Sequence, residues 1–205
     1  FPSSDRPELL VDLTLPQNAS LAATQQVVSK VEVILKKDPD IDHWSTYIGQ
    51  GAIRFYLPLD VQLPNPFFSQ FVVIAKDVEA RVRLQTRLEG LLAEKFPQAI
   101  GRVSPLELGP PVGWPVQYRV SGPSLDKVRE IALEVAQIMA TDSNLRRINY
   151  DWMEPSRVVR IVIDQDQARL LGLSSDSVGA VINSAVSGTT VTQVRDDIYL
   201  VSVVA

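Results

Sequence analysis

Leu9, Val11, Leu13 and Leu15 take every second position of residues 9–15, a period of two that predicts a β-strand closed by Pro16. Ser20 then precedes Val27, Val28, Val31, Ile34 and Leu35, whose spacing makes one apolar stripe on a helix. Lys36 and Lys37 put positive charge at its carboxyl end, where the helix dipole favours it, and Asp38-Pro39 stops it. Residues 42–48 and 53–57 read as a strand pair joined through Gly49-Gln50-Gly51, and a loop with Pro58, Pro64 and Pro66 leads to a strand at 71–74. Asp77 caps a second helix with Leu84, Leu88, Leu91 and Leu92 on one face; Pro97 ends it, and 100–108 is extended.

Residues 108–115, Leu-Gly-Pro-Pro-Val-Gly-Trp-Pro, fit neither helix nor central strand and mark a subdomain boundary. The same phrase then restarts. Val116, Tyr118 and Val120 alternate as a strand, and Gly122-Pro123-Ser124 turns the chain and caps a helix. Val128, Ile131, Ala132, Val135, Ile138 and Met139 form that helix's stripe, and 146–152 returns as a strand. Strand, helix, acidic turn and strand repeat the order of residues 9–48, which predicts an α+β fold of ferredoxin-like split βαβ units, an antiparallel sheet with helices on one face. A third phrase differs. A strand at 158–163 precedes a short helix at 165–171 closed by Gly172, and Ser175 or Asp176 caps a further helix carrying Val178, Val181, Ile182 and Ala185. Gly188 closes that helix, and 189–194 and 198–203 form a hairpin around Asp196-Asp197.

Composition narrows the function. The 205 residues are 45% hydrophobic and 21% charged, which suits a globular chain of one or two domains. A net charge of −4 argues against nucleic acid, which wants a basic face. The absence of cysteine excludes thiolate zinc sites, disulfides and thiol catalysis. No apolar run reaches the length that spans a bilayer, and no basic-then-apolar leader is present. A start at Phe1 and an unterminated strand pattern at 199–205 lead us to expect both ends to be cut points in a longer protein.

Reactive constellations are hard to assemble. His43 is the single histidine, with no second imidazole at metal-ligand spacing and no Gly-x-Ser-x-Gly elbow to serve. Asp38, Asp40 and Asp42 alternate but break the calcium-loop grammar, lacking its glycine and its closing glutamate. The glycines at 49–51 and 109–113 lack the Lys-Ser/Thr of a phosphate loop and read as tight turns. No catalytic residue, metal site or cofactor is expected. The aromatic residues Trp44, Tyr47, Phe55, Tyr56, Phe67, Phe68 and Phe71 crowd one stretch, as core filling or as the lining of an apolar cleft. Phe67 and Phe68 cannot both face one core if that segment is extended, so one of them is expected to be exposed.

Three stretches, taken in order, resemble a known family. Phe1-Pro2-Ser3-Ser4-Asp5, a strand and Leu15-Pro16-Gln17-Asn18-Ala19-Ser20 resemble the start of the second large periplasmic loop of resistance–nodulation–division efflux transporters, of the hydrophobe/amphiphile, AcrB-like multidrug type. The run 109–122 is similar to the start of that loop's second porter subdomain, and 161–174 to the start of its docking subdomain. The resemblance implies a first porter subdomain at 1–110, the first half of a second at 111–157, and a truncated docking subdomain at 158–205.

It further implies a non-enzymatic, periplasmic portion of a proton-driven inner-membrane homotrimer that works with a periplasmic adaptor and an outer-membrane channel. Its cargo would be hydrophobic or amphiphilic small molecules, with no nucleic acid involved. By position, Ser45, Tyr47 and Phe55 would lie along a deep pocket, and Gly49, Gln50 and Gly51 would replace a switch loop between pockets. Trp114, Val116 and Tyr118 would border an outer cleft. The turn at 49–51 is short and lacks phenylalanine, which bears on specificity. Heavy-metal transport is disfavoured by a chain with methionine only at Met139 and Met153. The rival expectation is a ferredoxin-like regulatory or protein-export domain that binds a partner and transports nothing.

Overall fold

The computed structural model describes residues 4–110, 113–152 and 154–205. The Phe1-Pro2-Ser3 opening, Pro111 and Val112 of the glycine–proline run, and Met153 lie outside the described residues. The chain divides into two compact units, Phe1–Arg157 and Val158–Ala205.

In the first unit, β1 (Glu8–Thr14), α1 (Leu21–Leu35), β2 (Ile41–Ile48), β3 (Phe68–Ala75), α2 (Val78–Lys95) and β4 (Ile100–Pro105) follow in that order. The strands form one sheet in the order β2-β3-β1-β4, every neighbouring pair antiparallel, which is the ferredoxin-like split βαβ arrangement. Both helices start as expected. The Ser20 hydroxyl accepts from the Ala23 N–H, and the Asp77 carboxylate accepts from the Ala80 N–H at 2.7 Å.

Alternation along β1 sorts the core. Leu9, Val11 and Leu13 face the helices with Phe71, Val73 and Val103, and meet Val28, Val31 and Leu35 of α1 and Leu84, Leu88 and Leu92 of α2. Burial of each large apolar side chain here contributes about 1.5–3 kcal/mol. α1 and α2 both pack on that face, and among the described residues no helix packs against the other face of the sheet.

That second face is roofed by a loop, which corrects the strand pair expected at 42–48 and 53–57. β2 pairs with β3, and residues 53–57 join no ladder. Gly49 and Asn65 pinch the loop's neck: the Gly49 N–H donates to Phe68, and the Asn65 N–H to Gly49, both at 2.8 Å. Pro58 and Pro64 remove backbone donors that a second ladder would need. Ala52 and Leu59 turn in to a small cluster with Leu10, Val72 and Leu106, with Tyr47 and Tyr56 packed against it. Phe67 and Phe68 take opposite sides and neither is exposed. Phe67 is half-buried against the helix-side core and Phe68 is buried.

The rest of this unit departs further from the pattern. α3 (Leu125–Ala140) forms with the Ser124 cap expected, yet none of its residues is buried. The strands expected at 116–120 and 146–152 are not formed, because among the described residues no segment pairs with them. Trp114 and Arg147 tie this stretch to the sheet: Arg147 lies over the Trp114 ring and pairs with Glu89 of α2 at 3.2 Å.

In the second unit, α4 (Gln165–Leu170), α5 (Ser175–Ser187), β5 (Thr190–Asp196) and β6 (Tyr199–Val204) match the expected phrase, with β5 and β6 as an antiparallel hairpin. Ser174 caps α5, one residue before the expected position, because its hydroxyl accepts from the Ser177 N–H at 3.1 Å. Gly188 ends α5 at φ +74°, with Val204 packed where a Cβ would stand. The strand expected at 158–163 is not formed: among the described residues nothing pairs with it, and Val158 and Val162 are exposed.

Candidate functional site

Side chains on the helix-free face line up across the four strands. Tyr47 stands opposite Gln70, Gln70 opposite Asp12, and Asp12 opposite Arg102. In the next row Ser45, Val72, Leu10 and Ser104 follow in the same order. Cross-strand neighbours of this kind sit about 4.5–5.5 Å apart at Cβ, so each row is a continuous chain of contacts. The roof loop covers the β1 and β4 ends of these rows and forms with them a cavity of about 210 Å³, open to solvent on one side and lined among others by Asp12, Gln70, Tyr56, Leu59, Arg102 and Glu107.

Gln70 holds floor and roof together. Its amide Nε2 donates to Asp12 Oδ1 at 2.7 Å, and its Oε1 accepts the Ala52 N–H at 2.8 Å. Burial pushes the Asp12 carboxyl above the usual carboxylate range; the Gln70 bond and the Arg102 charge oppose this, and Asp60 reinforces it. Arg102 is engaged on its other side, donating to the Gly113 carbonyl at 2.7 Å, pairing with Glu107 at 3.7 Å and lying over the Trp114 ring. Tyr56, whose phenol burial pushes upward, forms part of the lining, and the Phe55 ring sits against it at a centroid distance of 5.4 Å.

The expected site residues scatter around this feature. Ser45 and Tyr47 end the two rows on β2, Ser45 exposed and Tyr47 half-buried. Phe55 is exposed on the roof loop. Gly49 adopts φ +75° at the loop neck and Gly51 is buried against Gln62, so Gly49-Gln50-Gly51 forms the entry to the roof. Trp114 is half-buried beside Arg102, while Val116 and Tyr118 are exposed. None of the nine lines the cavity, although Trp114 adjoins its wall. The sequence did hold one signal for the missed residues: Asp12 and Gln70 are polar positions inside strands that are mostly apolar.

Other chemistry is sparse. His43 is exposed and pairs with its neighbour Asp42 at 2.6 Å. Among the described residues no cluster of His, Cys, Asp or Glu is placed to hold a metal ion, and no helix is long and apolar enough to cross a membrane. Asp38 and Asp40 pair with Arg83 and Arg87 of α2 at 2.6–2.7 Å, a surface lock between α2 and the start of β2.

The family model of the AcrB/AcrD/AcrF family matches residues 1–205. Among solved structures, the chain is similar to a heavy metal efflux pump in two crystal forms. Crystal form II gives a TM-score of 0.67 at 18% identity, covering 99% of this chain and 21% of that chain. Crystal form I gives 0.63 at 18%, covering 98% and 22%. The chain thus spans about a fifth of the length of these pumps. Comparison with curated proteins finds no match.

Proposed function

The chain belongs to the AcrB/AcrD/AcrF family, and from that premise we propose that it is the substrate-binding, substrate-conducting periplasmic portion of a proton-driven efflux transporter of hydrophobic and amphiphilic molecules. The observation that carries this reading is the helix-free sheet face. A ferredoxin-like sheet backed by helices on one side leaves its other side for a ligand, and here that side holds aromatic rings, a cavity and a roof loop. The heavy metal pumps share the fold at 18% identity, which leaves cargo to be argued from this chain's own residues. On the helix-free face those residues combine Tyr47, Tyr56 and aliphatic side chains with a polar cavity floor, a mixture that suits amphiphilic cargo.

In this reading residues 1–110 are a porter subdomain, 111–157 the first half of a second, and 158–205 the start of a docking subdomain. Ser45, Tyr47 and Phe55 serve a deep pocket, Gly49, Gln50 and Gly51 replace a switch loop between pockets, and Trp114, Val116 and Tyr118 border an outer cleft. The whole transporter works as an inner-membrane homotrimer with a periplasmic adaptor and an outer-membrane channel. The porter units move as rigid bodies, and the cargo is passed along without being chemically changed.

Detergent titration of the chain tests the binding role, read by Trp114 emission with Trp152 replaced by Phe, Trp44 on the helix side of the sheet serving as the internal reference. A saturable shift is expected, weakened about fivefold or more in Tyr47→Ala, Phe55→Ala. Unchanged emission, together with unimpaired export by the full-length transporter carrying both substitutions, would sink the assignment.

A further inference from the structure

The cavity has a sign. Among its described lining residues stand three carboxylates, Asp12, Asp60 and Glu107, against one guanidinium, Arg102. Arg102 is turned to the Gly113 carbonyl, to Glu107 and to the Trp114 ring. Asp12 has only the neutral Gln70 as its hydrogen-bond partner and is in no ion pair among the described residues. A half-buried carboxylate held this way carries a desolvation cost that a cation arriving in the cavity would relieve.

Size and surroundings narrow the ligand. A volume of about 210 Å³ is below the ~300–1,000 Å³ of sites that engulf a drug-sized molecule, so the cavity accepts a head group and leaves a tail outside. The outer surface of the roof loop suits a tail: Ile53, Phe55, Leu57, Val61 and Leu63 are all exposed there. Phe55 touches Tyr56, which lines the cavity, so the ring surface runs from the lining to the loop exterior.

We propose that Asp12 is the counter-ion for the positively charged head of a cationic amphiphile, with the head in the cavity and the tail on the roof loop. Gln70 is the positioning residue: it fixes the carboxylate and ties it to Ala52 of the roof. This inference rests on the substrate-binding reading above and adds to it the charge of the cargo and the residue that selects it.

The test uses two detergents with the same twelve-carbon tail, dodecyltrimethylammonium and nonionic dodecyl maltoside, each below its critical micelle concentration at pH 7, read by Trp114 emission. The cation is expected to bind about tenfold or more tighter, the change one partly desolvated opposite-charge contact makes. Asp12→Asn keeps the size and hydrogen-bonding shape of the side chain and should abolish that preference, bringing the affinity for the cation down to that for the maltoside. Arg102→Gln removes the competing positive charge and should enlarge the preference, a change of opposite sign that misfolding would not produce. Equal binding of the two detergents, or a preference that survives in Asp12→Asn, overturns the proposal and leaves the binding role standing. If neither detergent binds, both fall.

Discussion

Gln70 and Asp12 face each other across β3 and β1, and the amide of one donates to the carboxylate of the other at 2.7 Å. Because Gln70 also accepts the Ala52 N–H, this one side chain is where the sheet and its roof loop meet.

Gln70→Leu is the direct probe of that junction. Leucine fills the space but leaves the N–H of Ala52, a residue 1% exposed, without its acceptor. An orphaned buried donor costs about 1–3 kcal/mol. The urea midpoint should fall accordingly, and proteolysis within residues 51–62 should quicken while α1 stays protected.

Asp12 and pH form the second prediction. Its folded pKa lies above the 3.8 of the unfolded chain, so the charged carboxylate weighs against folding at neutral pH. As pH falls through the folded pKa the native state takes up the proton first, and below 3.8 the penalty is gone. Asp12→Asn should therefore raise the urea midpoint at pH 7, with the gain shrinking as the pH is lowered. A charged side chain that costs stability in the free protein is what a ligand-binding role predicts.

Asp40 behaves with the opposite sign. The hydrogen bonds from Arg83 and Arg87 hold its carboxyl down at about 2, below the ordinary 3.8. Its contribution is complete above pH 3.8 and is lost as the pH falls towards 2. Asp40→Asn should lower stability at pH 7 and flatten the acid limb of the stability profile. Added salt should shrink the difference, since Arg83 and Arg87 are exposed.

Arg81 concerns the entry of the chain into β1. Its buried guanidinium donates to the carbonyls of Ser4 and Arg6, the latter at 2.7 Å, and so fastens that entry to α2. Arg81→Met keeps most of the apolar stem and removes both donors. A loss of about 2–3 kcal/mol is expected for bonds of this charge-assisted kind. Amide exchange should speed up at Ser4 and Ala75, whose N–H groups donate to Leu106 and Pro7.

These sites differ in how far they were legible. Ser20, Asp77, Ser124 and the stripes behind them announced α1, α2 and α3, because a helix is written within a few turns of chain. Residues 53–57 misled because Ile53, Phe55 and Leu57 alternate as a strand would. Their side chains point out from a loop whose inward contacts are Ala52, Tyr56 and Leu59. The true partner of β2 is β3, and no local pattern could say so. Residues 116–120, 146–152 and 158–163 carry strand alternation without a ladder, since a strand exists only through its neighbour. The Asp12–Gln70 bond joins residues 58 apart, so the cavity was hidden although each polar interruption was visible.

A ligand held on the helix-free face of the first unit should perturb that face and leave the helical layer undisturbed. Backbone amide chemical shifts of the isotope-labelled chain, titrated with dodecyl maltoside below its critical micelle concentration, test it most directly. Saturable shifts are expected at Tyr47, Ala52, Tyr56, Gln70 and Trp114, with Val28, Val31, Leu84 and Leu88 of the opposite layer unmoved. Shifts confined to α3 or to the β5–β6 hairpin, with the sheet face silent, would contradict it.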